Sequence, residues 1–95
     1  MTNTMTGSWS SFNFTLSDDA QKVFKEALKG FAGVDYTPLA VATQVVAGTN
    51  YCFLCKGVLV TPGAQQTAVK LYVYAPLPGQ GSAHISQITN ISPAP

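Results

Sequence analysis

Apolar residues recur at helical spacing once along the chain and at strand spacing through most of the rest. Ala20, Val23, Phe24, Ala27, Leu28 and Phe31 form one stripe when wound at 3.6 residues per turn, and Asp18, Lys22, Lys25, Glu26 and Lys29 fill the opposite face. Ser17 is a suitable N-cap, and Asp18 and Asp19 follow where the helix dipole favours negative charge. Gly30 and Gly33 supply a stop, with Pro38 beyond. The pattern predicts a helix over 17–31, with a solvated charged face.

From residue 39 onward the chain is rich in Val, Tyr, Thr, Ile and Phe, punctuated by Gly and Pro. Residues 39–46 read as a strand, Ala47-Gly48 as a turn, and 49–60 as a long second strand. Pro62-Gly63 marks another turn. Residues 68–75 alternate, with Val69, Leu71 and Val73 on one face and Lys70, Tyr72 and Tyr74 on the other. Residues 77–81 form a further turn. A weaker strand over 82–91 follows, where Ile85, Ile88 and Ile91 lie three apart and point to a bulge. Phe12 and Phe14 bracket Asn13 and begin a short strand before the helix. One helix must bury its stripe on one face of this antiparallel sheet, so the expected fold is α+β in two layers.

Composition narrows the function. At 95 residues the chain is one domain, 1–95, with room for one thin core and none for a deep interdomain cavity. Only 9% of residues are charged, arginine is absent and the net charge is +1. That leaves little for phosphate neutralisation, so no nucleic-acid partner is expected. No stretch is apolar enough for a membrane span, and the first eleven residues lack the basic and apolar regions of a secretory signal. The expected location is cytoplasmic.

Catalytic constellations are sparse. His84 is the only histidine, and the acids Asp18, Asp19, Glu26 and Asp35 lie on or near the helix. A nucleophile–histidine–acid triad is therefore poorly supplied. One histidine and two cysteines are too few for a metal centre, so neither metal nor cofactor is expected. Cys52-Phe53-Leu54-Cys55 has redox spacing, but that chemistry uses a thiol at a helix N-terminus, and here the pair falls inside a strand. Three-residue spacing sends the two thiols to opposite faces, one buried and one partly exposed. The chain is not expected to be an enzyme.

The turns are more informative. Gln44-Val45-Val46-Ala47-Gly48 sets apolar residues at a hairpin tip, and Leu77-Pro78-Gly79 is a second apolar turn. In an up-and-down order both turns fall at one edge of the sheet. After Asp35 only Lys56 and Lys70 are charged, so this edge is neutral and apolar, the profile of a protein-docking surface.

Thr43-Gln44-Val45-Val46-Ala47-Gly48-Thr49-Asn50-Tyr51 resembles the central signature of the cystatins, specifically the stefins. Leu77-Pro78-Gly79-Gln80 resembles their second loop, and Gly7-Ser8-Trp9-Ser10 their N-terminal trunk. The resemblance implies a cystatin-like fold, with one helix packed across a curved antiparallel sheet of four to five strands, preceded by a trunk over 1–11 and with the sheet over 39–91. It also implies a function. Stefins are reversible, tight-binding inhibitors of papain-like (cathepsin-type) cysteine proteases, without disulfides or cofactors. Carried over, Gly7 and the residues just before it lie along the non-primed subsites. Gln44, Val45, Val46, Ala47 and Gly48 sit over the catalytic cysteine, and Leu77, Pro78 and Gly79 touch the primed side. Gly7 and Gly48 let the backbone approach where a Cβ would meet the cleft. The chain departs from the stefin pattern at Ser8, which replaces a second trunk glycine, in a longer stretch near 57–67, and in its uncharged ending Ser92-Pro93-Ala94-Pro95.

The competing readings are a cystatin-fold binding module without inhibitory activity and a thiol redox enzyme using Cys52 and Cys55. A monomer is expected. Opening the first hairpin would give one long strand and a domain-swapped dimer without the first loop.

Overall fold

A computed structural model describes residues 7–94. The elements are α1 (Asp18–Ala27), β1 (Val34–Val46), β2 (Gly48–Leu59), β3 (Gln66–Ala75) and β4 (His84–Asn90). The strands form one antiparallel sheet in chain order, and α1 packs on one of its faces. This is the α+β architecture that the periodicity predicts.

The helix begins where its cap places it. Ser17 is extended, and its Oγ accepts a hydrogen bond from the Ala20 N–H at 3.1 Å. It ends at Ala27, short of the predicted 31. Leu28 already has φ −95° and ψ 4°. The N–H groups of Lys29 and Phe31 then reach back three residues, to the carbonyls of Glu26 (3.3 Å) and Leu28 (2.9 Å). Gly30, at φ +81°, reverses the chain from within the predicted span, so the last turn tightens before it. Phe31 consequently leaves the apolar stripe and sits half-exposed, its ring 5.8 Å from Tyr36.

The rest of the stripe builds the core. Ala20 and Phe24 are buried against Phe53, Val69, Leu71 and Val73. The Phe24 and Phe53 rings meet edge to face at 5.0 Å, and Tyr51 stacks beside Phe53 at 5.8 Å. Val69, Leu71 and Val73 face the helix, as their alternation requires.

The strand bounds differ from expectation by one or two residues in β2, β3 and β4 and by five at the start of β1. The sheet runs from Val34 to Asn90 rather than over 39–91. β1 starts five residues early and contains Pro38, a residue that argues against a strand when read alone. Pro38 pairs with Cys55 and Ala40 with Leu54, so Leu39 is the extra residue of a bulge. β1 lies at one side of the four-stranded sheet, where a missing N–H breaks no central ladder. The irregularity expected among the isoleucines is present. Tyr72 pairs with Gln87 and Val73 with Ile85, which skips Ser86 and lets both Ile85 and Ile88 pack on the core.

The N-terminal segment adds a partial fifth strand outside β1. Asn13 and Val41 exchange both backbone hydrogen bonds, at 2.8 and 2.9 Å, and Trp9 bridges to Gln44. Ser10 binds Thr43 twice: its N–H donates to the Thr43 carbonyl (2.8 Å), and its Oγ accepts from the Thr43 N–H (2.9 Å). Among the described residues no helix is long and apolar enough to cross a membrane.

Candidate functional site

Strand order decides which turns are neighbours. The β1–β2 tip and the β3–β4 connection lie at one end of the sheet, and the connection between Leu59 and Gln66 lies at the other. Thr49 pairs with Ala75, so the first tip stands beside the start of the second loop. On the other flank, the Trp9–Gln44 bridge carries Gly7 towards the same end, where Gln44 Nε2 donates to the Gly7 carbonyl at 2.7 Å. The trunk from Gly7, the tip over 45–48 and the loop over 77–79 therefore stand in a row. At the usual strand spacing of about 4.8 Å, the row is roughly 20 Å long. The residues before Gly7 lie outside the described residues.

The first hairpin is as tight as a ladder allows. Val46 pairs with Gly48, leaving Ala47 alone at the tip. Val45 is 63% exposed and Leu77 51%, so each presents apolar surface that the fold leaves uncovered. Val46 is half-buried, and Ala47, Pro78 and Gly79 are exposed. The second loop is a β-turn. The Gln80 N–H donates to the Leu77 carbonyl at 2.9 Å, with Pro78 leading and Gly79 at φ +81°, the type II arrangement.

Gly48 requires a correction. The sequence reading has it sparing a clash with a partner. Its φ of +105° does demand glycine, but the residue is buried. A Cβ there would lie 2.5 Å from the Ala75 carbonyl oxygen and 3.0 Å from the Tyr74 hydroxyl. Gly48 is thus needed so that the two hairpins can touch each other. Gly7 differs in having open space around it. It has φ +101°, and the nearest atom to its Cβ position is Gln44 Nε2 at 3.9 Å.

A row of side chains on the sheet face away from the helix ties these parts together. Gln44 pairs with Asn50, Asn50 with Tyr74 and Tyr74 with His84. Asn50 Nδ2 donates to Gln44 Oε1 at 2.7 Å, which fixes the Gln44 amide so that its nitrogen faces Gly7. The Tyr74 hydroxyl donates to the Ala47 carbonyl. His84 meets the Tyr74 ring edge-on at 5.8 Å, and its Nδ1 lies 3.3 Å from the Ser82 carbonyl.

The next row anchors the trunk. Ala42, Cys52 and Tyr72 lie side by side on β1, β2 and β3. The Trp9 ring, starting outside β1, reaches Tyr72 in an edge contact at 5.9 Å. It must cross the small side chains of Ala42 and Cys52, with which it lines a cavity of about 170 Å³. The expectation that one cysteine is partly exposed therefore fails, because both thiols are buried, Cys55 under the helix and Cys52 beside Trp9. Both are free. Burial pushes the Cys52 thiol up, partly offset by Tyr72 and Lys70. Burial and the neighbouring Cys52 push Cys55 up to about 12. Neither has the lowered pKa that thiol chemistry uses. Among the described residues, no three His, Cys, Asp or Glu side chains gather as metal ligands.

The sequence reading missed Tyr74, Asn50 and the anchoring role of Trp9. Counting outward from Ala47 sets Gln44 against Asn50, so that pair carried a signal. The Trp9 contact had only a faint one, the two small outward-facing residues Ala42 and Cys52 side by side on β1 and β2. No family model matches the chain, and no curated protein or solved structure does.

Proposed function

We propose that this protein is a reversible, non-covalent, tight-binding inhibitor of papain-like cysteine proteases and acts by filling the active-site cleft. One observation carries the reading: three uncharged segments, the trunk at Gly7, the tip over 45–48 and the turn over 77–79, stand in a row at one end of the sheet. Their sequence resemblance to the stefin trunk and loops gives that row its target.

The chemistry is that of a plug. Val45, Val46, Leu77 and Pro78 offer apolar surface to a groove with apolar walls, at about 25 cal/mol per Å² gross. Gly7 admits the cleft wall close to the backbone. Both hairpins are formed before contact, so little ordering entropy is lost on docking. No residue of the row needs to react. A Val46–Gly48 tip closed on itself does not present an extended peptide bond for attack. The free thiols at Cys52 and Cys55 suit a reducing compartment, in keeping with action in the cytoplasm.

The test is titration of active papain with the purified protein while residual hydrolysis is followed. Stoichiometric, reversible loss of activity is expected, with little change between 0.05 and 0.5 M salt (about a tenfold span) because the row carries no charge. Full activity at micromolar protein refutes the proposal. Binding without loss of activity favours a docking module instead.

A further inference from the structure

We propose that Tyr74 is a positioning residue of this edge, locking the first hairpin tip to the second hairpin so that the two loops meet a target as one rigid body. The inference rests on the inhibitor reading for its consequence, but the lock itself is a property of the free protein.

The geometry is specific. Ala47 is the single residue between the paired Val46 and Gly48, so its carbonyl has no ladder partner. The Tyr74 hydroxyl donates to that carbonyl from β3, two strands away from β1. Tyr74 is placed for this by its pairing with Asn50 on one side and His84 on the other, and the His84 ring braces it at 5.8 Å. Directly below, the missing Cβ of Gly48 lets the tip settle onto the Ala75 carbonyl and the Tyr74 hydroxyl. Hairpin tips ordinarily fray, because they have few buried contacts and exposed backbone groups. Here a side chain from the neighbouring hairpin closes the tip. The phenyl ring alone would pack equally well on His84, so the hydroxyl is what distinguishes tyrosine at this position.

The consequence is for binding. A tip that moves independently of the second loop must be ordered on docking, and that cost falls on affinity. Removing the hydroxyl leaves Ala47, which is exposed, free to bond with water. The fold therefore keeps its core while the tip loosens.

The experiment compares wild type with Tyr74→Phe in two measurements. Amide hydrogen exchange of the free protein reads the lock, and the dissociation constant with papain reads its use. Exchange across 46–49 is expected to accelerate roughly three- to tenfold, the range one net hydrogen bond commands. Exchange across the core-facing stretches of β2 and β3 should not change. The dissociation constant should rise by a similar factor, with the melting temperature nearly constant. Unchanged exchange at the tip overturns the proposal, whatever happens to affinity. Faster exchange with unchanged papain binding also overturns it, because the lock would then position nothing. A wild-type protein that does not bind papain refutes the inhibitor reading and the use of the lock, while tip exchange still decides whether the lock exists.

Discussion

Replacing Gly48 by alanine isolates the contact that brings the two hairpins together. The new methyl group would sit 2.5 Å from the Ala75 carbonyl oxygen, and real Cβ atoms essentially never come closer than 3.0 Å, so the backbone must retreat. That backbone belongs to the Thr49–Ala75 pair, the last rung of the β2–β3 ladder. The residue also has φ +105°, which costs an L-residue about 1–3 kcal/mol. Overpacking adds a cost of about 1–3 kcal/mol, part of which relaxes as the tip swings away from Tyr74. A net loss of about 3 kcal/mol lowers the melting temperature of a domain this size by about 12–24 °C. With a total stability of about 5–15 kcal/mol, the variant stays folded at 25 °C. Gly79→Ala is the control, because Gly79 has φ +81° and nothing within 4 Å of its Cβ position. It carries only the conformational cost, about 1–2 kcal/mol. Thermal unfolding followed by circular dichroism, with papain titration of the same samples, separates the two. If Gly48→Ala and Gly79→Ala melt within about 3 °C of each other, packing against Ala75 is not what requires glycine at 48, and the reasoning is wrong.

Other outcomes follow from the same contacts. Trp9→Ala removes the indole that crosses Ala42 and Cys52, and at about 25 cal/mol per Å² it should loosen trunk docking by about 2–3 kcal/mol. Faster labelling of Cys52 by a thiol reagent, with Cys55 still protected, is the signature, and equal protection of Cys52 in both proteins contradicts the anchor. Alkaline conditions should destabilise the fold. An unfolded Cys55 ionises near 9.0, whereas in the fold the buried thiol holds its proton to about 12. Above pH 9 the unfolded state therefore binds fewer protons, and stability falls as pH rises, by up to about 1.4 kcal/mol per pH unit. Urea unfolding of wild type and Cys55→Ala at pH 8 and 10.5 checks this, since the loss should be smaller in the variant. Ser17→Ala deletes the bond to the Ala20 N–H and should cost about 1 kcal/mol by urea unfolding without changing papain titration.

Much of the fold was legible because its signals are local. The Ala20–Leu28 stripe, the Ser17 cap and the β3 alternation each depend on near neighbours, and each appears as read. The failures are tertiary. Pro38 looked like a boundary, and only its place in a bulged strand at the side of the sheet makes it tolerable. Gly30 fell inside the last predicted turn, and its own reversal consumes that turn. One of the two cysteines was expected to be partly exposed because nothing near the pair in sequence covers the sheet face away from the helix, whereas Trp9 reaches Cys52 there from more than forty residues away. The candidate row could be anticipated by counting strands. The bonds that fix its parts, Gln44 to Gly7 and Tyr74 to Ala47, required the register itself.

The trunk's route back to β1 also bears on kinetics. Each strand ladder closes across a single turn, since spatial order follows chain order. The trunk instead meets β1 across the helix, with partners 33 and 37 residues apart. Long closures form late when short ones can form first. Trp9 is the chain's single tryptophan and sits in this late segment. Its fluorescence during refolding will therefore lag the far-ultraviolet dichroism of the sheet, and the lag will time the docking of the N-terminal segment on β1 rather than the collapse of the core.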